Sequence, residues 1–401
     1  KLVRKPIVDA WLVGEKPVYR LTTRSGRSIR CSDGHRFLGT GGWHKLSDLK
    51  VGDTIAVPRN YQTGRWGADD ISVGQATLLG WLIGDGWLGG SCALTVASSE
   101  EAEMAAQLAR DEFGLHPAIK PEHAGTSALK VVMTTGRMCG AGRNPLTTWL
   151  RKLNVWKKTG PRKSVPEKIF AQLDDVVAAF LRGLFHADGS ITGGGRGKST
   201  RSVRLSTISE QLARDVQHLL LRLGINAYLI RDTRNIGGYR TTTSCLWTVT
   251  MTDRAVVERF LSRVGFLGEK QQRALSRFEA AKLNDAGQVD RLPLVVNELV
   301  TELRRGYRLS HAALGWRDQG KAMSRATCGA LAERLVDEEL AVMANSDVLW
   351  DEVSRIEPME TQPVYDITVG ELHNFCVDDF ITHNSGSLEQ ESDVVAFLYR
   401  E

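Results

Sequence analysis

Paired cysteines are missing from this chain. Its 401 residues include six cysteines, Cys31, Cys92, Cys139, Cys245, Cys328 and Cys376, with no C-x-x-C pair and no histidine at zinc-ligand spacing. That excludes a disulfide framework and a structural zinc, and leaves the six as small buried apolar side chains. Long hydrophobic runs are missing too. Leu78 to Ile83 is far too short to span a bilayer, and the opening residues KLVRKPIVDAWL lack the apolar core of a secretory signal. A cytoplasmic location with no membrane partner is expected. A phosphate loop is also absent: TGGGRGKST carries Thr192, not glycine, five residues before Gly197, so the segment reads as a flexible basic hairpin tip.

What is present fits a globular chain of two or three domains, 42% apolar and 25% charged. The net charge of +5 is unevenly spread. Leu150 to Lys163, Gly193 to Arg204 and Arg304 to Arg308 are basic clusters with few acids, as expected where a protein lies along phosphates.

An internal repeat organises the middle. LLGWLIGDG (Leu78 to Gly86) aligns without a gap on LRGLFHADG (Leu181 to Gly189), placing Gly80 on Gly183, Asp85 on Asp188 and Gly86 on Gly189. Two further helical segments match in the same order, so each half reads helix, two strands, helix, two strands, helix. Ser72 with Gln75 forms a capping box for the first helix, and Asp174 or Asp175 starts its copy. A mid-helix glycine costs up to about 1 kcal/mol relative to alanine, which makes sense if two backbones must touch there. Packing through Gly80 and Gly183 would bring Asp85 and Asp188 side by side, and gathered carboxylates repel unless a divalent cation sits between them.

These motifs resemble the LAGLIDADG homing endonucleases in their single-chain, two-motif form, with His186 replacing a usual acid. The resemblance implies two αββαββα halves whose sheets lie in the major groove of a long double-stranded DNA site. It also implies that Asp85 and Asp188, with the carbonyls of Gly84 and Ala187, hold Mg²⁺, and that both strands are cut. Lys163 and Lys270 fit the family's basic positions near the metal, and Arg196, Lys198, Arg201 and Arg204 fall in the basic tip expected to meet DNA.

The tail carries a different chemistry. In Thr382-His383-Asn384-Ser385 the Asn384 amide can attack its own carbonyl, His383 can protonate the leaving amine, and Ser385 supplies an acyl-accepting oxygen. VYDITVGELHNFCVDDFITHNS (Val364 to Ser385) resembles the C-terminal splicing blocks of inteins, and Gly26 to Arg59 resembles their Thr-x-x-His block, with Ser32 in place of threonine. The resemblance implies that His35 strains or protonates the N-terminal scissile amide, that Asp366 couples the two end reactions and that His373 assists Asn384 cyclisation, with no cofactor. Cys376 is expected to pack. The residues from Lys1 onward do not include the first intein block and its residue-1 nucleophile, so with these residues alone cleavage at Asn384 is expected to survive and joining is not. SGSLEQESDVVAFLYRE (Ser385 to Glu401) resembles the nucleotide-site region of DnaB-type replicative helicases.

The implied fold is multi-domain: an all-β Hint horseshoe (1–60 and 346–384) split by an α+β LAGLIDADG endonuclease of two pseudo-repeats (66–285), with a helical extension (286–345) and a helicase segment (385–401). Within the extension, Ser310 to Leu335 loosely resembles a helix-turn-helix, with Arg317, Lys321 and Arg325 facing phosphate; the other reading is a helical cap joining the domains. The expected partners are the intein-less helicase gene and the flanking exteins in cis, for a monomeric intein in a hexameric, ATP-dependent host helicase.

Overall fold

The structure is a computed structural model that describes residues 2–61, 67–68, 70–123, 127–136, 144–192, 202–232, 245–279, 290–369, 373–384 and 395–397. The chain forms two compact units, one joining Lys1–Gln62 to Asn284–Glu401 and the other comprising Thr63–Leu283.

The first unit opens with seven strands, β1 (Leu2–Arg4), β2 (Asp9–Lys16), β3 (Val18–Thr23), β4 (Ser28–Ser32), β5 (Arg36–Gly39), β6 (Gly42–Lys45) and β7 (Thr54–Pro58). Their period of two is plain in β4, where Ile29 and Cys31 are buried and Arg30 is exposed.

The second unit begins with α1 (Val73–Asp85), β8 (Gly86–Trp87), β9 (Ala93–Val96), α2 (Ser99–Phe113), β10 (Ala118–Pro121), β11 (Leu129–Val132) and α3 (Pro145–Lys152). After the one-turn α4 (Glu167–Phe170), the order recurs as α5 (Asp174–Asp188), β12 (Gly189–Thr192), β13 (Ser202–Thr207), α6 (Glu210–Arg222), β14 (Tyr228–Asp232), β15 (Leu246–Met251) and α7 (Arg254–Arg263), followed by α8 (Gly268–Glu279). Both halves are αββαββα. Their sheets share one connectivity, β8-β9-β11-β10 and β12-β13-β15-β14, with antiparallel pairs throughout.

Helices α1 and α5 form the centre of this unit. Every residue of α1 from Ala76 to Gly84 is buried, so the helix is apolar all round, as a core helix must be. Ser72 makes the capping box with Gln75. Asp85 and Asp188 are the last residues of their helices, with Gly86 and Gly189 as the caps. A Cβ on Gly80 would overlap the Phe180 carbonyl oxygen and stand 2.8 Å from the Leu184 nitrogen; one on Gly183 would overlap the Thr77 carbonyl oxygen and stand 2.9 Å from the Trp81 nitrogen. The backbones touch reciprocally, and burial of Leu78, Leu79, Leu82 and Leu184, each at about 1.5–3 kcal/mol, outweighs the helical cost of the glycines.

The chain then returns to the first unit through α9 (Val295–Gly306), α10 (His311–Leu314), α11 (Arg325–Leu335) and α12 (Glu338–Asn345), and continues as β16 (Val348–Pro358), β17 (Gln362–Thr368), β18 (Asn374–Val377), β19 (Phe380–His383) and β20 (Val395–Phe397). Among the described residues ten strands form one sheet in the order β1-β20-β18-β19-β5-β7-β16-β3-β4, with β6 on β5. Strand β16 pairs with β7 through its first half and with β3 through its second, with a register shift between Val353 and Arg355, the kind of irregularity that lets a sheet turn a corner. Strands β2 and β17 form a separate ribbon.

Helices α9 to α12 have their own core, including Val296, Val300, Leu314, Leu331 and Leu340. Two expectations are corrected here. Ten residues, 315–324, separate α10 from α11, where a helix-turn-helix has a turn of about three or four. Arg325 is buried rather than turned to phosphate: its guanidinium pairs with Asp290 and donates to the carbonyls of Met343 at 2.6 Å and of Val348. A guanidinium spent on internal acceptors is a structural anchor. Arg317 and Lys321 are exposed. Cys31, Cys92, Cys328 and Cys376 are buried free thiols, as expected, while Cys245 is half-buried and Cys139 lies outside the described residues. Among the described residues no helix is long and apolar enough to cross a membrane.

Candidate functional sites

In the first unit, one strand pairing brings the two ends of the sequence together. Strand β19 lies antiparallel to β5, with Thr382 opposite Phe37 and His383 opposite Arg36; one residue further along come Asn384 and His35. The Nδ1 of His383 is 2.8 Å from the carbonyl oxygen of Asn384, a hydrogen bond in the tautomer that carries its proton on Nδ1. Asn384 is buried, its N–H donates to the His373 carbonyl at 2.9 Å, and its Oδ1 has no hydrogen-bond partner among the described residues. The His383 ring is gripped from two sides, edge-on by Trp43 with centroids 4.9 Å apart and stacked by His373 at 6.2 Å.

His35 follows the end of β4, its N–H donating to the Ser32 carbonyl at 3.2 Å and its own carbonyl accepting from Leu46 at 2.8 Å. The Nε2 is buried without a partner among the described residues. Burial pushes the imidazole down to about 4, the His383 charge adds to this and Asp366 opposes it. His35 is therefore neutral near pH 7, and His35, Asp366 and His383 share one neighbourhood. Asp366 is buried on β17, opposite Trp11, and accepts from the Ile367 N–H at 2.9 Å. Burial holds the Cys376 thiol well above its ordinary value, which makes it inert. Ser385 lies outside the described residues. Trp43 was not singled out from the sequence; its signal, one aromatic in GTGGWHK, is indistinguishable from ordinary core.

In the second unit, the Asp188 carboxylate lies against the last turn of α1: a Cβ on Gly84 would stand 3.5 Å from its Oδ2. Burial raises both Asp85 and Asp188 above the ordinary carboxylate range, Asp188 adding to the rise at Asp85, while Lys163 and Lys270 oppose both. The lysines cap the helix ends in parallel fashion. Lys163 Nζ donates to the Gly84 carbonyl at 2.6 Å, and Lys270 Nζ to those of His186 at 2.6 Å and Phe185 at 3.3 Å, cations placed at the negative ends of two helix dipoles. Burial lowers Lys270. Gly84, expected as a metal ligand, thus already gives its carbonyl to a lysine. Burial and the Lys270 charge push His186 down to about 4 against the pull of Glu101, whose Oε1 is 3.5 Å from its Nε2.

Glu101 was missed from the sequence. It occupies the fourth position of Ser98-Ser99-Glu100-Glu101, where a glutamate reads as helix-capping acid; it does accept the Ala97 N–H at 3.0 Å, yet its charge also reaches Asp85 and Lys270. Among the described residues no three or more His, Cys, Asp or Glu side chains gather as a metal cluster. Two hard carboxylates fit Mg²⁺, which keeps several waters and uses one or two carboxylates plus substrate phosphates. On the sheets, Arg204 is exposed on β13, and Lys120, Lys130 and Thr95 line one row across β10, β11 and β9. Arg196, Lys198 and Arg201 lie outside the described residues.

Comparison with known proteins gives the following. A family model described as the intein splicing domain matches residues 1–384. The chain is similar to the replicative DNA helicase DnaB of Rhodothermus marinus, 37% identical over 422 aligned positions that cover 100% of this chain and 43% of the relative. It is also similar to the DnaB helicase of Nostoc sp., 32% identical over 100% of this chain and 46% of that protein. It thus spans less than half the length of these relatives. Among solved structures, I-DmoI in complex with DNA and Mn is 17% identical over 48% of this chain and 97% of that one, with a TM-score of 0.33. The Ssp DnaB mini-intein variant M86 is 37% identical over 15% of this chain and 38% of its own, with a TM-score of 0.14.

Proposed function

The chain belongs to the intein splicing-domain family, and on that premise we propose that it is a bifunctional intein of a DnaB-type helicase, combining self-splicing chemistry in its first unit with site-specific DNA cleavage in its second. The observation that carries the splicing reading is the His383 Nδ1 at 2.8 Å from the Asn384 carbonyl oxygen. In this reading the Asn384 Nδ2 attacks its own carbonyl carbon, His383 stabilises charge on the carbonyl oxygen, and the C–N bond to Ser385 breaks as the departing nitrogen takes a proton. The products are a succinimide at residue 384 and a free amine on Ser385, whose hydroxyl is the acyl acceptor when both flanking segments are joined. The His373 carbonyl holds the Asn384 N–H. Neutral His35 and buried Asp366 serve the N-terminal amide.

In the second unit Asp85 and Asp188, with the Ala187 carbonyl and the lone pair that Lys163 leaves on the Gly84 carbonyl, would hold a divalent cation, taken as Mg²⁺. When bound there it would polarise a phosphate oxygen and lower the pKa of an attacking water. Lys163 and Lys270 hold the helix ends and place positive charge where a phosphodiester gains negative charge. Arg204 and the tip residues Arg196, Lys198 and Arg201 would run along the DNA backbone, and the exposed Arg317 and Lys321 would add contacts from the helical extension. Two experiments test the reading. Asn384→Ala must abolish release of the segment beginning at Ser385. The intein-less helicase gene segment, incubated with the protein and Mg²⁺, must be cut on both strands; binding without cutting would leave the second unit as a DNA-binding relic.

A further inference from the structure

The hairpin that carries His383 and Asn384 turns through two aspartates, both in the left-handed conformation. Val377 pairs with Phe380, so Asp378 and Asp379 alone make the turn, with φ of 49° and 63°. Tight hairpin turns of this kind favour Gly, Asn and Asp. Asp379 is buried even so, and its Oδ1 accepts a hydrogen bond from the Tyr61 hydroxyl at 2.7 Å. Tyr61 is itself buried, and burial together with the Asp379 charge holds the phenol well above its ordinary value, so it remains a donor.

We propose that Tyr61 and Asp379 form a latch that fixes the β18–β19 hairpin in register, which makes Tyr61 a positioning residue for cyclisation of Asn384. The inference rests on the splicing reading above. Its physical basis is the lack of slack between the turn and the reacting residues. From Val377 and Phe380 the arms pair without a gap through Cys376 and Ile381, Phe375 and Thr382, to Asn374 and His383. A slip of one residue would turn His383 to the opposite face of the sheet. The far end of the hairpin is held by β5, where Thr382 pairs with Phe37. The turn end is held by Tyr61, which follows β7, itself paired with β5. A buried carboxylate needs donors and the Tyr61 hydroxyl is one that meets Asp379, so the hairpin is held at its turn as well as at its far end.

The test follows release of the segment from Ser385 in the full chain by mass spectrometry, alongside backbone amide exchange across residues 380–384. Tyr61→Phe is expected to slow release about tenfold and to speed exchange at Ile381 to Asn384, the scale of one lost buried hydrogen bond. Asp379→Asn keeps an acceptor for the hydroxyl and is expected to stay within about threefold of the parent rate. The Tyr61→Phe/Asp379→Asn double variant is expected to remain as slow as Tyr61→Phe. Recovery of the parent rate in that double variant would overturn the latch, because the fault would then be a stranded charge rather than lost position; so would parent-like release by Tyr61→Phe. Should Tyr61→Phe fail to fold, Asp379→Gly removes the acceptor while suiting the positive φ, and it must be slow as well. If the parent chain releases nothing, the splicing reading fails, and the latch stands or falls on whether Tyr61→Phe speeds exchange at 381–384.

Discussion

The two candidate sites meet the same problem, ionisable groups taken out of water, with different neighbours. In the first unit burial strips charge away: His35 falls to about 4 and is neutral, Asp366 is the acid that acts on it, and Asn384 meets the His383 ring and the His373 carbonyl. In the second unit burial disfavours charge too, raising Asp85 and Asp188, but there Lys163 and Lys270 oppose the shift with charge of the other sign. The difference matches the chemistry proposed for each. Rearranging a peptide bond without a cofactor needs neutral donors and acceptors held in register, and that register comes from the pairing of β19 with β5. Breaking a phosphodiester needs concentrated charge, and its spacing comes from backbone contact between α1 and α5 at Gly80 and Gly183. One site should be sensitive to register and tautomer, the other to helix spacing and charge balance.

That contrast can be broken most sharply at His383. His383→Ala should slow release of the Ser385 segment by at least about 100-fold, the scale of a lost positioned proton donor; quantitative mass spectrometry reads the rate. Gly80→Ala drives a methyl into the Phe180 backbone and should destabilise the second unit by about 3 kcal/mol, seen in its denaturant transition, while release at Asn384 proceeds at the parent rate. His35 sharpens the comparison through pH. Its folded pKa of about 4 lies below the ordinary 6.5, so its contribution to stability is present above pH 6.5 and is lost as pH falls towards 4, at up to about 3 kcal/mol. His35→Gln should flatten that slope in acid melts. Asp85→Asn should act with the opposite sign. A carboxyl raised in the folded state weakens the fold once pH exceeds its folded value, so the variant should melt higher than the parent at pH 7 and gain nothing below the ordinary carboxylate range.

Much of the second unit was legible because its signals are local and doubled. Apolar residues at helical spacing, a serine cap and an Asp-Gly stop recur in the same order, and Gly80 aligned with Gly183 announces close backbone contact. The meeting of Gly26–Arg59 with Val364–Asn384 came from resemblance, since no local pattern says that β19 pairs with β5. What stayed hidden depends on distant partners. Arg325 was expected to face phosphate because Ser310 to Leu335 loosely resembles a helix-turn-helix, but Asp290 and the carbonyls of Met343 and Val348 claim its guanidinium. Glu101 drew no notice in the sequence; it accepts the Ala97 N–H at the start of α2, and its charge also acts on Asp85. Tyr61 and Asp379 are 318 residues apart, and neither would be chosen without the fold.

The central claim is that the paired chain ends hold Asn384 ready to attack its own carbonyl. The most direct measurement is mass spectrometry of the residue-384 terminus after incubating the full chain at neutral pH. A succinimide at Asn384, formed in step with appearance of the Ser385 amine and absent in His383→Ala, is the expected result. An uncleaved bond, or a terminus carrying an ordinary asparagine carboxylate from the outset, would contradict the account.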